Sequence, residues 1–230
     1  MANIQPELKR GAGILLPVSS LPSPYGIGTF GKAAYDFIDE LVRAGQSYWQ
    51  VLPVGPTSFG DSPYQSFSAF AGNPYFIDLD TLADDGLLDR DELNEIDWGS
   101  NADDVDYAKL YNNRYRILKK AYLAFLSSDD RKIKDRHGDF RQFREINSEW
   151  LNDYALFMAL KDRNNGKSWQ EWDDDIKFRK PEIVSYYKDL LKEQIDFYCF
   201  LQFEFYRQWT LLKRYANNHD IEIIGDIPIY

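Results

Sequence analysis

Residues 60–80 read GDSPYQSFSAFAGNPYFIDLD, a run dense in hydroxyls, amides, carboxylates and aromatic rings. Pro63 and Pro74 stiffen it, while Gly60 and Gly72 allow sharp changes of direction. Neither a helical nor an alternating apolar period runs through residues 60–72, so core patterning does not explain the composition. Exposed Tyr and Phe rings can stack on a sugar ring while neighbouring Ser, Asp and Gln side chains bond its hydroxyls. The segment is therefore a candidate carbohydrate surface.

The elements flanking it say where that surface sits. Residues 12–18 (AGILLPV) read as a buried strand, followed by the Pro- and Gly-rich loop SLPSPYGIGTFG. Ala34, Phe37, Ile38, Leu41 and Val42 then recur at helical spacing among charged residues, and Gly45 stands where a C-terminal cap belongs. Residues 48–54 (YWQVLPV) read as a second buried strand. Strand, helix and strand with short links form a βαβ unit with parallel strands. The loop at residues 55–72 thus follows the C-terminal end of a parallel strand, the edge at which α/β proteins bind ligands.

Beyond it, residues 76–79 read as a short strand and residues 81–106 as acidic surface helices and turns. The acidic spacing lacks the calcium-loop pattern and its closing Glu. Residues 107–125 and 140–160 carry apolar side chains at helical spacing. The basic patch at residues 131–137 reads as a solvated turn. Pro181 opens a further helix, residues 197–215 continue as helix, and residues 221–230 (IEIIGDIPIY) read as a third buried strand. Three parallel strands interrupted by a helical insertion of about a hundred residues fall short of the roughly 250 residues of a complete (β/α)8 barrel. The expected fold is α/β: the N-terminal part of a TIM (β/α)8 barrel. Its expected divisions are residues 1–80 (first strands and loop), 81–180 (helical insertion) and 181–230 (barrel helix and third strand).

Composition narrows the ligand. Aromatic residues reach 16%, and each ring serves either as core or as a stacking platform. The net charge of −10 disfavours nucleic acid and anionic membranes as partners, which leaves neutral sugars rather than bases. A single cysteine, Cys199, lies in an apolar run and reads as a buried thiol in a reducing compartment. With no apolar leader in MANIQPELKR and no stretch of membrane-span length, a cytoplasmic protein is expected. His137 and His219 have no partner at metal-ligand spacing, so no metal is expected. Gly26, Gly28 and Gly31 match GxGxxG, but no acidic ribose-binding residue follows, so no dinucleotide or other cofactor is expected.

The blocks RGAGILLPVSSLPSPYGIGTFG, YWQVLPVGPTSFGDSPYQSFSAFAGNPYFIDL and IIGDIPIY resemble the N-terminal signature of the 4-α-glucanotransferases, also called amylomaltases or disproportionating enzymes. The resemblance is dense over the barrel portions and looser over the helical insertion. It implies an α-amylase-type (β/α)8 barrel that transfers α-1,4-glucan segments between maltooligosaccharides by retaining chemistry, through a covalent glycosyl-enzyme. The family's nucleophilic Asp, acid/base Glu and stabilising Asp lie on later strands, so the resemblance assigns no catalytic residue here and implies that this chain alone is inactive. It places substrate contact at Asp61, Ser62, Tyr64 and Gln65. For Asp61 and Ser62, capping of the turn at Pro63 is an equal reading. Phe59 stands where some members carry a Tyr at a second glucan site, and Tyr25 on the first loop is either a sugar contact or packing. Asp226 reads as loop support.

The carboxylate pairs Asp173 with Asp174 and Glu222 with Asp226 read as structural. No obligate protein partner is implied. Two other readings stay open: a non-catalytic α-glucan-binding module, and a fragment of a hydrolase of the α-amylase clan.

Overall fold

The computed structural model describes residues 9–57, 60–101, 103–128 and 140–228. Three short strands, β1 (Gly13–Leu15), β2 (Tyr48–Gln50) and β3 (Glu222–Ile224), form one sheet in the order β1-β2-β3. Both pairs are parallel, with Ile14 opposite Trp49 and Trp49 opposite Ile223. Parallel neighbours need a crossover connection. The first is the helix α1 (Lys32–Arg43), and everything between β2 and β3 makes the second.

Helix α1 buries Ala34, Ile38 and Leu41 on the face its sequence period marks out. It stops at Gly45, whose φ of +65° lets its N–H reach the Val42 carbonyl and that of Gln46 the Leu41 carbonyl. No atom would obstruct a side chain there, so the glycine is required by backbone conformation.

The acidic stretch folds as helices α2 (Leu79–Asp84) and α3 (Arg90–Asn94), leading into α4 (Tyr107–Ser127). Its carboxylates are largely local fasteners. Asp78, Asp89 and Asp106 each accept a backbone N–H at the start of the following helix, and Arg90 pairs with both Asp80 and Asp84. Helices α5 (Phe140–Ile146), α6 (Ser148–Arg163), α7 (Asp174–Lys177) and α8 (Pro181–Leu190) follow, with Pro181 in the first turn of α8 as expected.

Helix α9 (Lys192–Asn218) is the axis of the molecule, about 40 Å long at 1.5 Å per residue. Every residue from Phe197 to Phe205 is buried, Gln202 and Glu204 included. A helix buried on all sides is central rather than superficial, and α9 packs against α1, α4, α5, α6 and β3. A single hydrophobic core runs from the sheet through this helix into the insertion. Among the described residues no helix is long and apolar enough to cross a membrane.

Three expectations need correction. First, β1 and β3 are not buried strands: Leu15 is 54% exposed and Ile227, just past β3, 71%. Only the middle strand β2 has a paired neighbour on each side, and its Trp49 is fully buried. Second, residues 76–79 form no strand. A 3-10 turn at Pro74–Phe76, capped by Asn73, runs directly into α2. Third, the acidic segment is not all surface, because Leu82, Leu87, Leu93 and Trp98 are buried in the core.

Candidate functional site

The chain leaves β2 and returns to it. The Asn73 N–H donates to the Val54 carbonyl at 2.9 Å and closes the base of the intervening loop. That loop lies at the C-terminal end of the parallel sheet, as the βαβ pattern requires. Its first half is a tight turn. Gly60 and Asp61 both take positive φ, +99° and +56°. The Ser62 Oγ accepts the Tyr64 N–H at 3.3 Å, and its carbonyl accepts the Gln65 N–H at 3.1 Å. Ser62 therefore does cap the turn around Pro63, and its hydroxyl proton stays available to an acceptor. The exposed Gln65 folds back over Gly60.

Tyr64 is the outermost ring of this turn, 36% exposed. Its hydroxyl donates to Asp226 Oδ2 at 2.7 Å, two residues past the end of β3, while Asp226 Oδ1 accepts the Ile227 N–H. The carboxylate that accepts its proton holds the Tyr64 hydroxyl above the usual phenol range. Asp61 lines a small cavity of about 30 Å³ with Pro17, Ser19, Thr57, Asn73 and Tyr107. Burial, and then the charge of Asp61, raise both the Tyr75 and Tyr107 hydroxyls.

Several other polar and aromatic groups of the loop help to hold it, although the Phe70 ring stays 62% exposed. Ser66 Oγ donates to the Ser68 carbonyl, and Ser68 Oγ accepts the N–H groups of Phe70 and Ala71. Phe67 stacks on Tyr154 of α6 at 6.5 Å and 13°, and Phe70 on Trp150 at 6.0 Å and 20°. The Tyr206 hydroxyl donates to the Phe70 carbonyl at 2.5 Å. Two of the rings that make the segment resemble a sugar platform thus anchor it to the helical insertion.

Residues 71–79 are all buried, which corrects the reading of residues 60–80 as one surface. This part is a junction whose backbone is paired by side chains. Gln202 and Gln208 of α9 bond both backbone groups of Gly72 and of Asp78. The buried Arg114 of α4 donates to the carbonyls of Tyr75, at 2.8 Å, and Ile77. The Asp78 carboxylate joins Thr29 to Thr81. Sequence reasoning missed these three long polar side chains, although each stands in a run that is otherwise apolar or helical.

Tyr25 does not reach the turn. It is buried, its hydroxyl donates to Asp80 Oδ1 at 2.7 Å, and its ring meets Trp98 edge-on at 5.8 Å, which favours the packing alternative. Phe59 and the whole basic patch at residues 131–137, His137 included, lie outside the described residues. Asp173 stands at the N-terminal cap position of α7 without a side-chain cap bond, and Asp174 pairs with Lys177. Burial pushes the Cys199 thiol up to about 11, well away from thiolate chemistry. Gly28 and Gly31 are pressed against the Val18 carbonyl and the Asp78 carboxylate, so close packing accounts for two glycines of the GxGxxG match. Among the described residues no group of three or more His, Cys, Asp and Glu side chains could hold a metal ion. The structure thus brings Asp61, Ser62, Tyr64, Gln65 and Asp226 to one edge of the sheet, with donors, acceptors and a ring facing outward.

A family profile described as 4-alpha-glucanotransferase matches residues 16–230. The chain belongs to that family. A 4-alpha-glucanotransferase of Clostridium butyricum is 54% identical over 213 residues, covering 93% of this chain and 42% of its own length. One of Streptococcus pneumoniae is 48% identical over 223 residues, covering 96% and 43%. The amylomaltase of Streptococcus agalactiae, solved in complex with acarbose, superposes with a TM-score of 0.90 at 44% identity, covering 96% of this chain and 44% of that one. The chain thus spans under half the length of the curated relatives it matches and corresponds to their N-terminal portion. The fold is, in part, the amylase-type (β/α)8 barrel of this family.

Proposed function

We propose that this chain supplies the substrate-holding edge of a 4-α-glucanotransferase acting on maltooligosaccharides and related α-1,4-glucans. Asp61, Ser62 and Gln65 bond glucose hydroxyls, and Tyr64 lies against a glucose ring with its own hydroxyl held by Asp226. Phe59 adds a stacking face, on sequence grounds, and Tyr25 braces the first loop from within. The observation that carries the reading is the family match over residues 16–230, a range that includes this turn. The acarbose bound by the similar Streptococcus agalactiae amylomaltase supports a glucan as the ligand.

The chemistry is a retaining double displacement. A carboxylate attacks the anomeric carbon, a second carboxyl group protonates the leaving glucan, and an acceptor 4-hydroxyl releases the covalent intermediate. None of the three carboxylates is assigned to this chain, whose part is to bind and orient. The exposed apolar side chains of β1 and β3, among them Leu15 and Ile224, are the surfaces that further barrel strands cover. The single buried cysteine supports a cytoplasmic site of action.

The test is product analysis with maltotriose. The complete gene product that carries these residues is expected to yield glucose together with longer oligomers, and the 230-residue chain alone to yield neither. Turnover by the verified 230-residue chain would refute the division of labour. Release of reducing sugar without any longer oligomers would favour the hydrolase reading.

A further inference from the structure

Two glutamines of α9 treat the junction between the loop and α2 as a neighbouring strand would. Gln202 is fully buried; its Oε1 accepts the Gly72 N–H at 2.7 Å and its Nε2 donates to the Gly72 carbonyl at 3.0 Å. Gln208 repeats the pairing on Asp78, at 2.7 Å and 3.3 Å. A primary amide offers one acceptor and donors in the same plane, so it satisfies both backbone groups of one residue at once. The clamps are six residues apart on the helix, which is about 9 Å. The six residue-to-residue steps from Gly72 to Asp78 would span roughly 20 Å if extended, so the chain must fold back on itself. The 3-10 turn at Pro74–Phe76 does so.

The two clamps hold different things. Asp78 begins α2, whereas Gly72 ends the loop that carries Tyr64. Gln202, Phe205 and Tyr206 lie at i, i+3 and i+4 on one face of α9 and meet that loop end together. Phe205 packs so tightly on Gly72 that any Cβ there would overlap its ring, and Tyr206 bonds the Phe70 carbonyl.

We infer that Gln202 is a positioning residue for glucan binding, setting the height of the 60–72 loop over the sheet edge, while Gln208 is a structural counterpart. The inference rests on the function proposed above.

The test compares Gln202→Met with Gln208→Met in the complete gene product, reading amide hydrogen exchange, melting temperature and maltotriose kinetics. Each variant removes one two-point clamp and is expected to lower the melting temperature by a similar amount. Faster exchange is expected at Gly72 in the first and at Asp78 in the second. Only Gln202→Met should raise KM, about tenfold, with kcat held within about twofold, the pattern of lost substrate binding. Gln202→Glu keeps both clamp bonds only while protonated, so its KM should climb with pH relative to the unaltered protein. That readout serves also if the methionine variant does not fold.

Equal KM effects from the two methionine variants, or a lowered melting temperature with KM unchanged in Gln202→Met, would overturn the inference. If the unaltered protein transfers no glucan, the substrate role of Gln202 falls with the proposed function. Exchange at Gly72 still reports in that case whether the clamp exists.

Discussion

The hydroxyl of Tyr64 donates to the carboxylate of Asp226 across 162 residues of sequence, at 2.7 Å. This bond ties the turn after β2 to the segment after β3 and so joins the ends of two adjacent parallel strands. Both partners face solvent at least in part, so the bond acts on where the turn sits more than on whether the chain folds.

Its signature is a titration. Because Asp226 holds the Tyr64 proton, the hydroxyl titrates above its ordinary 10.0. A group that keeps its proton more firmly when folded contributes fully below its unfolded value. That contribution fades as pH rises through the folded one. Phenolate absorbance should therefore show one tyrosine, absent in Tyr64→Phe, whose midpoint falls in Asp226→Asn. An unchanged midpoint in Asp226→Asn would mean that the bond does not persist in solution.

Arg207 offers a prediction about stability. Its guanidinium lies 2.8 Å from both Asp85 and the fully buried Glu204, and so joins α9 to the end of α2. Replacing it with Met removes one charge partner of the buried Glu204, and breaking a buried ion pair typically costs about 3–5 kcal/mol. Urea unfolding should show that loss in Arg207→Met and a recovery of part of it in the double variant with Glu204→Gln.

Gly72 offers a test of close approach. Its φ is ordinary, so any cost of Gly72→Ala arises from overlap with the Phe205 ring. Overpacking of this kind costs about 1–3 kcal/mol. Shrinking the ring with Phe205→Leu should relieve the alanine, so that the double variant is less destabilised than the two single costs added together. Strict additivity in thermal unfolding would argue against the contact.

These relationships show which parts of the fold the sequence could reveal. Helix α1 and its Gly45 stop were legible because a helical period and a left-handed cap are local signals. The parallel arrangement of β1 and β2 followed from the same local order. The burial of residues 71–79 was not legible, since its backbone partners are Gln202 and Gln208, each 130 residues away, and a side chain that imitates a strand leaves no period. Composition could not separate Phe67, which docks on α6, from Tyr64 and Phe70, which stay exposed. Exposure of β1 and β3 likewise depends on which neighbours cover a strand, not on its own residues. At the site, a turn around Pro63 was one of two equal readings for Asp61 and Ser62, and Asp226, read as a loop support, does bond Tyr64 of that loop.

The central claim, that this turn holds an α-glucan for transfer, is tested most directly by maltotriose disproportionation in the complete gene product, unaltered and as Tyr64→Ala. The unaltered protein should give a ladder of longer oligomers, and Tyr64→Ala a KM raised about tenfold with kcat changed far less. Absence of the ladder, or a Tyr64→Ala variant whose KM matches the unaltered protein, would contradict it.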